Sequence, residues 1–233
     1  MNSSRLYLVR YLALFVGLSL LLVYVSVVSQ ATTPVPNVTP VSDLWRVQKK
    51  GENIVVVNPG LKKSKYVFSD LDTEDEVNHY DVLSLVGSIL SVNVESHWEG
   101  GAHPGHLARI STVNLDQDNA PALMTDIFPE DQIVSALLKD KVIKRALGNK
   151  KPRNLAELIE MADGGCEISF LSLNDSFAFH HIKGNNVAIR VGLPHGCEAM
   201  RGNYTELGIY LPIPVHLKGL LDQASRRGTL MKK

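Results

Sequence analysis

Residues 97–106 read His-Trp-Glu-Gly-Gly-Ala-His-Pro-Gly-His. Three imidazoles, a carboxylate and an indole in one short stretch could do two kinds of chemistry. His97, His103 and His106 could hold a zinc ion, with Glu99 relaying a proton from its bound water. Alternatively Trp98, Glu99, Gly100, Gly101, His103 and His106 could meet a ligand without catalysis, through a ring, a charge and a closely approaching backbone. Pro104-Gly105 lies between His103 and His106, so no helix carries that pair. A zinc set would need the loop to fold back onto its strand. The plainer reading is a Gly-rich turn joining two strands. Of the other histidines, His180 and His181 are adjacent, so a regular strand would point them to opposite faces. His195 lies beside Cys197, while His79 and His216 stand apart.

Other chemistries lack their residues. The sequence has no Gly-x-Ser-x-Gly elbow, no P-loop and no dinucleotide fingerprint. Two cysteines are too few for a thiolate zinc site. Lys+Arg and Asp+Glu both number 24, which argues against a general nucleic-acid binder. No cofactor is expected, zinc in the His97–His106 loop being the exception.

The elements that would position this loop follow from pattern. His79 to Glu99 reads as β structure, with Gly87-Ser88 as a bulge or bend between two runs. A second strand, through Ile110, Thr112, Asn114 and Asp116, follows the His-rich turn. Asp116 to Asn119 is a turn. Pro129 to Ala146 predicts one helix, with an apolar stripe of Ile133, Leu137, Leu138, Val142 and Ala146 and a stop at Gly148. Leu155 to Ala162 predicts another helix, with Asn154 as N-cap. Strands are expected at 167–173, 177–182, 186–191 and 207–213, with a hairpin turn at Lys183-Gly184-Asn185. Pro214 to Ala224 closes the fold as a helix, and the basic tail 226–233 is expected to fray. Strands in runs with helices inserted predict an α+β fold, one domain with an antiparallel sheet packed on two to three helices.

The N-terminus is of a different kind. Residues 1–31 carry Arg5 and Arg10 and no acid, and residues 11–28 are uncharged. Ser29-Gln30-Ala31 offers small residues at −3 and −1 of a cut after Ala31. This reads as a secretory signal or, uncleaved, a single-span anchor with its N-terminus in the cytoplasm. Either way the rest of the chain is extracytoplasmic, secreted or periplasmic. Without residues 1–31 the balance is 22 basic against 24 acidic. The Pro-rich stretch 32–40 reads as a linker within a segment running to residue 78, and the acidic residues of 69–81 as a solvated surface. In an oxidising compartment Cys166 and Cys197 are expected to form a disulfide, contributing roughly 3–4 kcal/mol in the chain-entropy picture. Asn37, Asn174 and Asn203 begin N-glycosylation sequons.

The run from Ser91-Val92 through Ser96-His97-Trp98-Glu99-Gly100-Gly101-Ala102-His103-Pro104 resembles the strand-GGAH signature of a bacterial extracytoplasmic domain. That domain ends RsiV-type anti-sigma factors and accompanies PdaC-type peptidoglycan deacetylases. Val113 to Asp116 resembles its second strand, and Leu123 to Phe128 its step into a helix. Residues 177–191 resemble its hairpin, and 207–214 its last strand and helix entry. The resemblance covers about residues 80–225, places the domain at 79–225, and implies an α+β fold. In RsiV-type members this region binds lysozyme. Only ten residues precede the apolar run, so neither a sigma-binding domain before it nor a deacetylase domain after the fold is expected.

Three functions remain in view. One is an exported, non-catalytic cell-envelope binding protein that recognises peptidoglycan or a lysozyme-like hydrolase. The second is a metal-assisted hydrolase using the His97–His106 loop. The third is a structural envelope protein, in which the GGAHP turn only shapes the fold. No nucleic-acid partner is expected, and membrane contact only through residues 11–28.

Overall fold

The computed structural model describes residues 45–50, 53–60, 63–69, 71–72, 76–99, 105–163, 168–195 and 204–232. The segments read as export signal and Pro-rich linker lie outside them. So do Gly100, Gly101, His103, Cys166, Cys197, Asn37 and Asn203. Among the described residues no helix is long and apolar enough to cross a membrane.

The fold is α+β, and its three sheets are antiparallel. An N-terminal sheet joins β1 (Arg46–Lys50), β2 (Asn53–Asn58) and β3 (Lys63–Ser69) in that order. A central sheet runs β4 (Leu71–Asp72), β5 (Glu76–Val86), β6 (Ile89–Trp98), β7 (Gly105–Asn114) and β8 (Ala120–Pro121). A C-terminal sheet holds β9 (Phe177–Lys183), β10 (Asn186–Pro194) and β11 (Tyr204–Pro212), with β9 and β11 at its edges. The helices are α1 (Glu130–Leu137), α2 (Lys141–Leu147), α3 (Leu155–Ala162) and α4 (Val215–Arg227).

Period-two patterning gives the central sheet two different faces. On one, Leu90, Val92 and Val94 of β6 cluster with Leu85 and Val113, and with Trp45, Ile54 and Val56 from the N-terminal segment. The Trp45 indole donates to Asp116 Oδ1 at 2.8 Å. On the other face Ser84, Ser91 and Thr112 form one cross-strand row, all buried. Here the edge strand β9 meets the central sheet through hydroxyls. Thr112 Oγ1 donates to Phe177 O and accepts from Phe177 N at 3.2 Å. Phe179 N donates to Ser84 Oγ at 3.1 Å, and Ser176 Oγ to Ile110 O at 2.9 Å. An open strand edge is thus paired by side chains instead of a fourth strand.

The C-terminal residues complete this seam. Thr229 exchanges two 2.8 Å bonds with the backbone of Leu85, and Met231 N donates to Phe179 O at 2.9 Å. The tail expected to fray is therefore tied to both sheets through residue 231.

Three expectations change in detail. The long helix at 129–146 is two helices. Asp140 breaks it by accepting from Val142 N at 2.7 Å and capping α2. The buried stripe beyond the break then moves one residue, to Ile143 and Leu147. The strand expected at 167–173 is irregular at 168–170 and a 3-10 turn at 171–173. Gly87-Ser88 is a two-residue hairpin turn with Gly87 at φ +60°, and the bulge lies instead between Val82 and Ser84. By contrast α3 starts and ends as its pattern predicts, with Asn154 Oδ1 accepting from Glu157 N at 2.8 Å.

Candidate functional site

The His-rich segment lies at the end of the β6–β7 hairpin, away from the hydroxyl seam. His106, expected in the turn, is already in β7, directly opposite His97. The two rings stack with centroids 4.0 Å apart and 9° between planes. His97 is exposed. His106 is half-buried, and its Nε2 is buried without a hydrogen-bond partner among the described residues.

The opposite face of the hairpin is braced differently. Trp98 pairs with Gly105, and its ring lies across that glycine. A Cβ at Gly105 would sit 1.8 Å from Trp98 Cε2 and Cζ2. Gly105 is therefore needed for its absent bulk, a role that the sequence motif, which draws the eye to Gly100 and Gly101, does not show. Glu99 follows as an exposed residue where the strand ends.

The open face continues across three strands. Val77, His97 and His106 form its outermost row, and His79, Glu95 and Ala108 the next. Asp81, Asn93 and Ile110 follow. His79 Nε2 lies 3.3 Å from Asp81 Oδ2, and Asn93 Nδ2 donates to Glu95 Oε1 at 3.0 Å. Val77 remains 40% exposed despite its strand position. The result is a platform of imidazole, amide and carboxylate groups with Val77 as its exposed apolar side chain. Sequence reading left His79 isolated. Its partner sits two residues on, the spacing that puts both side chains on one strand face.

Metal binding would ask more of this arrangement. Ring nitrogens bind through lone pairs in the ring plane, and the planes of two parallel stacked rings do not converge on a common point. His97 and His106 would have to unstack to share an ion. Among the described residues no three of His, Cys, Asp and Glu are grouped to hold a metal, and His103 lies outside them.

A second polar cluster was not expected. Because β9 is bulged opposite Ala188 and Ile189, His180 and His181 come together instead of pointing apart. Their Nδ1 atoms are 2.6 Å apart, and His181 Nε2 lies 3.3 Å from the Tyr210 hydroxyl. Lys183 Nζ is 5.5 Å from the Tyr210 ring centre. A bulge of one residue leaves no mark in alternation, so adjacent histidines gave no signal of contact.

His216 is exposed on α4, whereas His195 and the Asn174 sequon are held within the fold. His195 Nε2 lies 2.9 Å from Thr205 Oγ1. Asn174 donates to Thr125 Oγ1 at 3.0 Å and accepts from Thr125 N, while Ser176 is buried on Ile110. That sequon is engaged in the fold. Tyr204 lies over Gly192, its hydroxyl buried and unpartnered among the described residues. Burial pushes its phenol pKa up, and Glu206 adds to the shift. No family model, curated protein or solved structure matches the chain.

Proposed function

We propose that this chain is an exported, non-catalytic binding protein of the cell envelope, with the open end of the central sheet as its contact surface. The observation that carries the reading is the braced hairpin. Trp98 on Gly105 and His97 on His106 hold opposite faces of one strand pair, beside an exposed row that ends at Val77. Such a surface is preorganised and open, which suits an extended glycan or a protein loop better than an enclosed small substrate. Peptidoglycan and a lysozyme-like hydrolase are the ligand classes proposed. The resemblance of residues 80–225 to the RsiV-type and PdaC-type extracytoplasmic domain supports the same reading.

Export by residues 1–31, cleaved or retained as an anchor, belongs to this proposal. So does a single domain whose antiparallel sheet packs on helices. The Cys166–Cys197 disulfide belongs to it as well. Ser169 N donates to Pro194 O at 2.9 Å, and in sequence Cys166 lies three residues before Ser169 and Cys197 three residues after Pro194.

The test is co-sedimentation of the full chain with insoluble peptidoglycan, alongside capture on an immobilised muramidase. Enrichment on one of them, reduced at least about tenfold in a His97→Ala, Glu95→Ala variant, is expected. No enrichment on either overturns the proposal. Stoichiometric zinc in untagged protein, with a lowered melting point in chelator, would favour the hydrolase reading instead.

A further inference from the structure

Far from the His-rich hairpin, a cavity of about 290 Å³ opens between β1, the β5–β6 turn and α4. We propose that it binds a small amphiphilic anion, with a carboxylate or phosphate head and a short apolar body. This inference does not rest on the envelope-binding reading.

The charge comes from Arg46 at the start of β1 and Arg227 in the last turn of α4. Neither makes an ion pair with a described residue, and no lining residue is acidic. Arg227 has a second role, since a cation favours a helix C-terminus. That claim on it is weakened here. Gly228 N donates to the carbonyls of Ala224 and Ser225, and Thr229 N to Ala224, so the helix end is already capped. Two guanidinium groups, distant in sequence and free of carboxylates, make a receptor for an anion.

The rest of the lining sets the ligand's body. Val47, Leu85 and Leu220 give an apolar wall. Leu220 is fixed against Gly87, where a Cβ would meet Leu220 Cδ1 at 2.9 Å. Thr229 is committed to Leu85 through both its hydroxyl and its backbone. That leaves the Gln223 amide as an adaptable polar group beside the arginines. The volume sits at the small end of ligand pockets, roughly 300–1,000 Å³, so the apolar body must be short.

Isothermal titration of the full chain with hexanoate, hexyl phosphate, inorganic phosphate and hexanol tests the assignment. Hexanoate, hexyl phosphate or both should bind, with inorganic phosphate and hexanol far weaker. Arg46→Gln and Arg227→Gln should each weaken the bound probe about tenfold. Both side chains are exposed, so the variants should melt with wild type in the absence of probe. Hexanol binding as well as hexanoate would overturn the anion requirement. Inorganic phosphate binding as well as hexyl phosphate would overturn the apolar body. A double variant with unchanged affinity would overturn the location, and no binding by either charged probe would overturn the whole proposal.

Discussion

One face of the central sheet has two ends, and they use polar residues for opposite purposes. At one end Ser84, Ser91 and Thr112 are buried, and two of them bond to the backbone of β9. At the other end Val77 and His97 are exposed and His106 is half-buried, in the same three strands and on the same face. Small hydroxyls let the edge of β9 come within hydrogen-bonding distance, which a larger side chain would prevent. Imidazoles occupy the end where the bulkier rings stack on each other. Polar type, more than polarity, separates the end that holds the two sheets together from the open end.

The sharpest way to break this comparison is at the buried end. Thr112→Val keeps the shape but leaves Phe177 N and O without their partner. Each orphaned buried group costs about 1–3 kcal/mol, so a loss of roughly 2–4 kcal/mol is expected. Thr112→Ser keeps the hydroxyl and should lose only about 1 kcal/mol, from the missing methyl. Urea midpoints at unchanged m-value check both. Equal losses in the two variants would mean that packing, not the hydroxyl, holds the sheets together.

The two ends also differ in how far the sequence reveals them. The strands of the His-rich hairpin, the helix at 155–162 and the turn at 183–185 follow from alternation, a cap and a glycine, all local signals. The single helix expected at 129–146 is two because the apolar pattern continues past Asp140, and only the cap shows that the chain restarts there. The hydroxyl seam could not be read at all, because it joins Thr112 to Phe177 and Ser84 to Phe179 across long stretches of chain. His97 and His106 were legible as candidates by type, but their stacking depends on register, which a loop of unmarked length does not fix. The contact of His180 with His181 was hidden by the bulge that creates it.

At the open end the largest effect should come from Gly105→Ala. The new methyl displaces the Trp98 ring, at a cost of about 1–3 kcal/mol. In a Trp98→Ala background the same change should be nearly free, which is the signature of a single steric contact. A red-shifted tryptophan emission in Gly105→Ala alone would report the displaced ring. The imidazole stack should matter less to stability. His97→Ala is expected to cost about 1 kcal/mol or less, with a coupling to His106→Ala of roughly 0.5–1 kcal/mol in a double-mutant cycle. A coupling as large as the loss in Thr112→Val would erase the distinction between the two ends.

Tyr204 tests the comparison where it is most finely balanced. Its hydroxyl is buried like those of Ser84 and Thr112, yet, like Ser91 Oγ, it has no partner among the described residues. If hydroxyls stabilise only through the bonds they make, Tyr204→Phe should be neutral or gain about 1 kcal/mol, with the ring kept over Gly192. The same substitution should change the response to alkali. The folded chain holds the Tyr204 proton to higher pH than the unfolded chain does, because burial and Glu206 oppose the phenolate. Above the ordinary phenol value of about 10, the folded state therefore binds more protons and loses stability as pH rises. Other groups titrate there too, so the measurement is the difference between wild type and Tyr204→Phe in urea midpoints at neutral and alkaline pH. Wild type should fall further than the variant. A parallel fall, together with a loss at neutral pH, would mean that the hydroxyl is bonded after all and belongs with the seam.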